Sequence, residues 1–203
     1  ARAGGPEGLV VVANEQTAGR GRAGRTWIAS AGRNVLCSIL LRPTVPPERL
    51  GTLPLVAAVA VAETVESIVS RECRVKWPND VLVDGEKIAG ILIQSRIAGS
   101  SVEYVNLGIG INVDAARASL PDGATSMAAE LGSEIGLEPV LATLLERFEA
   151  AYAGFASANG RPDLAGWTRR AAMLGDEVSV VVQGIRLTGA FRGIDEDGLL
   201  LLE

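Results

Sequence analysis

Residues 81–113 read VLVDGEKIAGILIQSRIAGSSVEYVNLGIGINV, and this stretch decides the fold. It holds three apolar runs separated by turn signals at Asp84-Gly85 and Ala98–Ser101. An Asp-Gly pair between two apolar runs is typical of a tight β-hairpin, because both turn residues adopt positive φ. The stretch therefore predicts three successive strands joined by hairpin turns. These strands are Val81–Val83, Lys87–Gln94 and Val102–Val113.

The sequence on either side adds further elements. Upstream, the short apolar runs Leu9–Ala13 and Asn34–Leu41 predict buried strands. Leu53–Val69 predicts a helix whose first half is apolar nearly all round and should therefore lie deep against the sheet, while polar residues cluster towards its end. Downstream, the apolar periodicity predicts helices over Pro139–Phe155 and Pro162–Ala172. The pattern then changes to short strands, which are Glu177–Val182, Arg186–Arg192 and Leu199–Leu202.

These elements predict a fold of the α/β or α+β class in two parts. Residues 1–173 should form a mixed sheet flanked by helices. Residues 174–203 should form a small all-β unit of three short strands. The pair Asp197-Gly198 indicates a hairpin turn within this second part.

Composition limits the classes of function. The net charge of −5 argues against non-specific attraction to nucleic acid or anionic lipid. The chain has no histidine, which excludes Ser-His and Cys-His catalysis and His-ligated zinc. Cys37 and Cys73 lack metal-ligand spacing. They could form a disulfide, but two buried thiols in a cytoplasmic protein are the favoured interpretation.

The sequence indicates no targeting or membrane segment. The longest uncharged apolar stretch, Leu50–Ala62, is shorter than the roughly 20 residues that a membrane helix needs. No basic segment followed by an apolar run opens the chain. We therefore expect a cytoplasmic protein with no membrane partner.

A basic, glycine-rich loop follows the first predicted strand. Residues 19–27 read GRGRAGRTW and carry three guanidinium groups, on Arg20, Arg22 and Arg25. Glycines let backbone N–H groups approach phosphate or carboxylate oxygens, which guanidinium groups also bind. Arginines on a solvated loop, or a contact with RNA, would explain the same composition. The position directly after a buried strand favours an anion-binding loop.

Two lysines lie close to apolar sequence further along the chain. Lys76 precedes Trp77-Pro78-Asn79-Asp80, and the stretch around it is interpreted as buried. A buried ammonium group needs an anionic partner, so Lys76 is a candidate for a ligand contact. Lys87 lies beside the predicted hairpin turn, where a solvent-exposed lysine explains the sequence equally well.

Four segments resemble, in order, the signature segments of biotin protein ligases, also called biotin–[acetyl-CoA-carboxylase] ligases. They are Gly19–Trp27, Lys76–Asp80, Lys87–Leu92 and Gly108–Asn112. The resemblance extends from about residue 9 to the end of the chain. It implies the class II synthetase-like fold of these ligases. Residues 1–173 would then be a biotin- and ATP-binding catalytic domain. Residues 174–203 would be its SH3-like C-terminal domain, which is expected to be short of a complete SH3-like β-barrel.

The resemblance implies a ligase that works in two steps. The carboxylate of biotin attacks the α-phosphate of ATP, which gives biotinyl-5′-AMP and pyrophosphate. The ε-amine of a lysine on a biotin carboxyl carrier domain of acetyl-CoA carboxylase then takes the acyl group, and AMP leaves. ATP is expected to act with Mg²⁺. The absence of histidine fits this chemistry, which needs positioning and charge neutralisation more than a strong base.

The resemblance also implies roles for single residues. Lys76 and Arg22 are implied to be catalytic, with Lys76 at the biotin carboxylate and α-phosphate oxygens and Arg22 at the phosphate end. The residues implied to bind biotin are Gln16, Gly19, Arg20, Gly21, Arg22, Lys76, Gly108 and Gly110. Those implied to bind ATP or AMP are Arg22, Arg25, Trp27, Lys76, Asn79, Lys87 and Asn112. The sequence names no metal ligands.

Some features depart from the family or leave alternatives open. Residues 1–8 lack the family's Ser-Thr-Asn segment, and no DNA-binding helix-turn-helix precedes the loop, so we expect no nucleic-acid partner. A free edge strand would permit the homodimer that family members often form. A lipoate ligase of the same fold is an alternative, although such enzymes carry a histidine in the loop. A non-catalytic RNA- or anion-binding module is another.

Overall fold

The computed structural model describes residues 4–203. Residues 1–3, which belong to the segment where the Ser-Thr-Asn motif was sought, lie outside the described residues. The strands are β1 (Val10–Val12), β2 (Asn34–Leu41), β3 (Cys73–Lys76), β4 (Asp80–Val83), β5 (Glu86–Ala98), β6 (Ser101–Asn112), β7 (Glu177–Val182), β8 (Ile185–Ile194) and β9 (Leu200–Leu202). The helices are α1 (Leu53–Val69), α2 (Met127–Leu131), α3 (Leu137–Ser157) and α4 (Leu164–Arg170).

Strands β1 to β6 form one six-stranded sheet in the order β1-β2-β6-β5-β4-β3. Each neighbouring pair in this order is antiparallel. Parallel pairing enters through single bridges, Val75 with Ala171 and Lys87 with Ala124. The predicted helix-flanked sheet is confirmed, and the hairpin-rich sequence around Asp84-Gly85 explains why its long strands run antiparallel.

The two faces of this sheet have different compositions. In β6 the odd-numbered residues Val105, Leu107, Ile109 and Ile111 are buried in the main hydrophobic cluster, together with α1 and α3. We call this the helix face. The even-numbered residues point to the opposite side, because side chains alternate along a strand. We call that side the loop face, since residues 16–27 lie across it.

Helix α1 has the bounds that the sequence predicts. Pro54 lies in its first turn, where the missing N–H breaks no helical hydrogen bond. The helix ends at Ser70, whose left-handed conformation (φ 53°) turns its N–H to the carbonyl of Glu66. Leu53, Ala57 and Val61 are fully buried, so α1 is a core helix that covers the sheet.

One helical segment, Pro47–Val69, is long and apolar enough to cross a membrane by length and composition. This segment is longer than the stretch Leu50–Ala62 that we judged from the sequence, because a 3-10 turn over Pro47–Thr52 precedes α1. Of the 18-residue apolar window within this segment, 67% is buried inside the structure. The apolar surface is thus used for packing on the sheet.

Strands β7, β8 and β9 form a separate three-stranded antiparallel sheet, as expected for the small C-terminal domain. Helix α4 connects this sheet to the first one. Trp167 of α4 is fully buried and meets Phe191 of β8 edge-on, with ring centroids 6.3 Å apart. The first and second parts of the chain therefore share a packed contact.

Local predictions hold best where a turn has a strict backbone requirement. Asp84 and Gly85 have φ values of 48° and 84° and join β4 to β5, as the hairpin signal predicts. Cys37 and Cys73 are both buried free thiols, which confirms the predicted state of the cysteines. Helix α2 was not predicted, because its five residues are too few to show a helical period.

Candidate active site

The floor of the candidate site is the loop face of β2, β6 and β5. Their register places three rows of residues side by side, about 7 Å apart along the strands. The rows are Leu36, Gly110 and Gly90; Ser38, Gly108 and Leu92; and Leu40, Asn106 and Gln94. Small residues in the first two rows leave space above the centre of the sheet.

The roof is the basic loop, which folds back on itself. The Gly21 N–H donates to the carbonyl of Arg25 (2.7 Å), and the Trp27 N–H donates to that of Gly19 (3.1 Å). A Cβ at Gly19 would collide with the backbone oxygen of Trp27, so this close approach requires glycine. The loop therefore has a defined shape that holds its arginines beside the floor.

A cavity of about 420 Å³ lies between roof and floor. Many of the residues that the sequence singled out border it, although they are far apart along the chain. Those residues are Gln16, Arg20, Gly21, Arg22, Arg25, Trp27, Asn79, Lys87, Gly108 and Gly110. The cavity has a cationic roof and a floor of small and neutral side chains, which suits a ligand with an anionic group and an uncharged body.

Trp27 fills the part of the cavity above the first row of the floor. A Cβ on Gly110 would lie 2.7 Å from its ring, and a Cβ on Gly90 would lie 2.9 Å from it. Only glycine at both positions allows the indole to lie so close to the sheet. The indole N–H is buried and finds no hydrogen-bond partner among residues 4–203. The shape of the floor, and not a hydrogen bond, thus holds the indole against the sheet.

Lys87 lies beside this tryptophan. Its Nζ is 2.6 Å from Oδ1 of Asp80 and 5.5 Å from the centre of the Trp27 ring, a cation–π distance. The backbone of Lys87 is held on both sides, because its N–H donates to Gly123 (2.8 Å) and its carbonyl accepts from Thr125 (3.0 Å). Its side chain retains about one-third of its exposure, so the ammonium is fixed yet accessible from the cavity.

Lys76 is placed differently from the expectation that it is buried, and that expectation is wrong. Lys76 ends β3, the edge strand of the sheet, and is exposed because the strand alternates between buried Cys73 and Val75 and exposed residues. It does not border the cavity, which lies towards β5 on the other side of Asp80. Lys87, and not Lys76, therefore borders the same cavity as the arginines of the loop.

Two asparagines of the motifs have structural partners. Asn79 is buried and donates from Nδ2 to the carbonyl of Ile91 (2.8 Å), which ties the turn after β3 to β5. Asn112 donates from Nδ2 to the carbonyl of Thr125 (3.0 Å). Its Oδ1 is buried and accepts no hydrogen bond within the described chain. Asn112 is not among the residues that border the cavity. Both side chains organise the edge of the site.

Sequence reasoning missed several cavity residues on the floor. Ser38, Gln94 and Asn106 are neutral polar side chains that border the cavity. Strand alternation could have indicated Gln94, four residues after Gly90, and Asn106, two residues before Gly108, because each shares a face with that glycine. Ser38 shares the face only through its pairing with Gly108. What the sequence could not give was the identity of the neighbouring strands.

Cys37 also borders the cavity, but its chemistry is that of a core thiol. Burial raises its pKa to about 12, so the sulfur is protonated near neutral pH. A protonated thiol is a poor nucleophile and a poor metal ligand. In residues 4–203 no group of three or more acidic, cysteine or histidine side chains is arranged to hold a metal ion.

Known proteins resemble this chain over nearly its whole length. The model of the biotin/lipoate A/B protein ligase family matches residues 4–112. The bifunctional ligase/repressor BirA of Bacillus subtilis is 37% identical over 202 residues, covering 98% of this chain and 62% of its own length. The biotin–[acetyl-CoA-carboxylase] ligase of Paracoccus denitrificans is 36% identical over 199 residues, covering 95% of this chain and 82% of the relative.

A solved structure shares the fold. The biotin protein ligase from Aquifex aeolicus, in complex with biotin and ATP, superposes with a TM-score of 0.83 at 29% identity, over 98% of this chain and 83% of that one. The chain spans only 62% of the Bacillus relative, so it is similar to a part of that protein. Because the family model covers just over half of the chain and the Paracoccus relative aligns over most of both sequences, the chain belongs to the biotin/lipoate A/B protein ligase family.

Proposed function

We propose that the chain catalyses ATP-dependent attachment of biotin to a lysine of a biotin carboxyl carrier domain, through biotinyl-5′-AMP. One observation carries the proposal. The ammonium group of Lys87 lies beside a glycine floor, in a cavity whose roof is a loop with three guanidinium groups. Family membership and relatives named as biotin ligases support this choice of acid and nucleotide.

In the first step, a carboxylate oxygen of biotin attacks the α-phosphorus of ATP, and the bond to pyrophosphate breaks. Negative charge builds up on the α-phosphate oxygens. We assign to Lys87 the role of neutralising this charge, with Arg22 and Arg20 at the phosphates. A fixed cation at the developing charge contributes about 3 kcal/mol in such sites. This assignment replaces the role that the motif comparison had implied for Lys76.

The other cavity residues would orient the two substrates. Gln16, Gly108 and the neutral rows of the floor suit the uncharged body of biotin, since they add no charge to it. Trp27 and Arg25 would lie on the nucleotide side, with Asn112 near the base. ATP would enter with Mg²⁺, which its own phosphate oxygens and water would hold. Holding the two reactants in the correct relative orientation lowers the barrier of such a transfer substantially.

In the second step, the neutral ε-amine of the acceptor lysine attacks the carbonyl carbon of biotinyl-5′-AMP. The acyl–phosphate bond breaks, AMP leaves with the electron pair, and the amine loses a proton to solvent. The roof loop must move to admit this lysine.

We further propose residues 1–173 as the catalytic domain, residues 174–203 as the C-terminal domain, and the cytoplasm as the site of action. The carrier domain is the proposed protein partner, and self-association through a sheet edge is a further proposal.

The test is isotope exchange between ATP and pyrophosphate, measured with the purified chain. We expect exchange that depends on biotin. Exchange that depends on lipoate would make the chain a lipoate ligase. No exchange with either acid, together with binding of polyphosphate or RNA by the folded chain, would make it an anion-binding module and overturn the proposal.

A further inference from the structure

The C-terminal sheet touches the first domain through the turn between β8 and β9. In this turn, Asp197 forms an ion pair with Arg49 (2.6 Å), and the carbonyl of Glu196 accepts from Nη1 of the same arginine (2.7 Å). Asp195 caps the turn, accepting from the N–H groups of Asp197 and Leu199 (both 2.9 Å). The turn is therefore rigid in itself and is held against the start of α1.

Gly198 is the point of closest approach. A Cβ at this position would lie 2.9 Å from Cδ1 of Leu55 and 3.1 Å from Cγ2 of Thr52, and its φ is +75°. Both the space and the backbone conformation require glycine. This fit places the Gly198 carbonyl 3.0 Å from Nε1 of Trp77, which donates a hydrogen bond to it.

Trp77 begins the turn that carries two site residues. Two positions on, Asn79 exchanges two hydrogen bonds with Ile91 in the cavity wall, through its side chain (2.8 Å) and its carbonyl (2.9 Å). The next residue, Asp80, forms the ion pair with Lys87. Four consecutive residues thus connect the C-terminal turn to the ammonium group of the site.

We propose that Trp77 is a positioning residue, through which the Gly198 carbonyl of the C-terminal turn fixes residues 77–80 and so the ammonium of Lys87. The chemical part of this inference rests on the proposed function. Trp77 touches no reacting atom in this scheme. It limits the freedom of Asp80, and Asp80 determines where the Lys87 ammonium lies. Displacing a catalytic group by about 1 Å can cost up to a hundredfold in rate.

Trp167 supplies a matched control. It is also a tryptophan at the contact between the two sheets, and it packs on Phe191. Its indole N–H is buried but has no acceptor in the part of the chain that the structure describes. Replacement by phenylalanine removes a hydrogen bond at Trp77 and none at Trp167, whereas both changes reduce the packed area. The pair separates loss of the hydrogen bond from general loss of stability.

The experiment measures the rate of biotinyl-5′-AMP formation in Trp77→Phe and Trp167→Phe, together with thermal unfolding and hydrogen exchange at the Ile91 amide. In Trp77→Phe we expect kcat to fall by about tenfold, with the KM for biotin within about threefold. The Ile91 amide, which donates to Asn79, should exchange faster. In Trp167→Phe we expect kcat and Ile91 exchange close to those of the parent, even if its thermal stability falls further.

A second variant acts from the other end of the hydrogen bond. Gly198→Ala forces the turn away from Leu55 and Thr52, so it should lower kcat as Trp77→Phe does. The double variant should be no slower than the slower single variant, because the two substitutions disrupt the same hydrogen bond between Trp77 and Gly198.

Two results would overturn the inference. The first is a parental kcat and parental Ile91 exchange in folded Trp77→Phe, and the second is equal loss of kcat in Trp167→Phe. Both require an active parent protein. If the parent forms no adenylate, the proposed function fails instead, and the hydrogen exchange at Ile91 still tests the structural part.

Discussion

The two faces of the six-stranded sheet show how one set of strands can serve both stability and binding. On the helix face, the odd-numbered residues of β6 from Val105 to Ile111 are large apolar side chains that are almost completely buried. On the loop face, the residues between them, Asn106, Gly108 and Gly110, border the cavity. The same strand therefore contributes packing energy on one side and space on the other. Substitutions on the helix face should therefore lower stability, whereas substitutions on the loop face should mainly affect the cavity and its ligand.

The largest effect should come from the helix face. Leu107 is fully buried, so Leu107→Ala should lower the free energy of unfolding by about 3 kcal/mol through lost burial and the cavity left behind. Asn106→Ala, one residue away on the loop face, should change it by less than about 0.5 kcal/mol. Urea denaturation of both variants measures the difference. Equal destabilisation by the two changes would mean that the faces are not divided in this way.

The next effect concerns how far the site extends across the loop face. Lys87→Ala should slow adenylate formation by roughly a hundredfold, because it removes the cation beside the cavity. Lys76→Ala, on the edge strand, should stay within about threefold of the parent. Single-turnover formation of biotinyl-5′-AMP measures both rates.

Folding must be controlled in this comparison. Lys87→Ala leaves Asp80 without its ion-pair partner, so circular dichroism should accompany the kinetics. Lys87→Arg keeps a cation for Asp80 and should still recover little activity, because a planar guanidinium does not fit the place of a compact ammonium. A severe loss in Lys76→Ala with near-parental Lys87→Ala would return the catalytic role to Lys76.

The smallest effect concerns the glycines under Trp27. Gly110→Ala should displace the indole, since the new methyl group would lie 2.7 Å from it, while changing the unfolding free energy by less than about 1 kcal/mol. Gly108→Ala should leave the ring in place, because its methyl group would lie 3.5 Å from the nearest atom.

Fluorine NMR of 5-fluorotryptophan-labelled protein reports the ring position, and the chain has three tryptophans to assign. Only the Trp27 signal should shift in Gly110→Ala. An unchanged Trp27 signal would show that the ring does not lie on the glycines in solution.

Much of the fold follows from local sequence. Asp84-Gly85 can adopt the positive φ values of a tight hairpin at little cost, and this turn requirement does not depend on distant residues. Helix α1 was found with correct ends because its apolar length, Pro54 and polar C-terminal half are all local signals. Helix α2 and the end of β5 at Ala98 were missed, because short elements and strand extensions depend on what they pair with.

The candidate site divides in the same way. The basic loop and the glycines of β6 were found from the sequence, because both are unusual in composition. The positions of the two lysines relative to the cavity were not. The sequence around Lys76 looked buried since apolar residues alternate with it, but alternation alone does not say which strand lies at the edge of the sheet. Ser38 was missed because its pairing with Gly108 is not a local signal, whereas alternation along their own strands could have indicated Gln94 and Asn106.

By itself, the sequence determined the strands, the main helices, the turn at Asp84-Gly85 and a loop able to bind an anion, because each depends on backbone preferences and charges within a few residues. Only the tertiary structure decided that Lys87, and not Lys76, borders the same cavity as the arginines, and that Gly198 reaches Trp77. Strand order and register place Lys87 at the cavity, and the docking of the C-terminal turn brings Gly198 to Trp77, more than a hundred positions earlier in the chain. Such contacts depend on the packing of the whole chain, which no local pattern specifies.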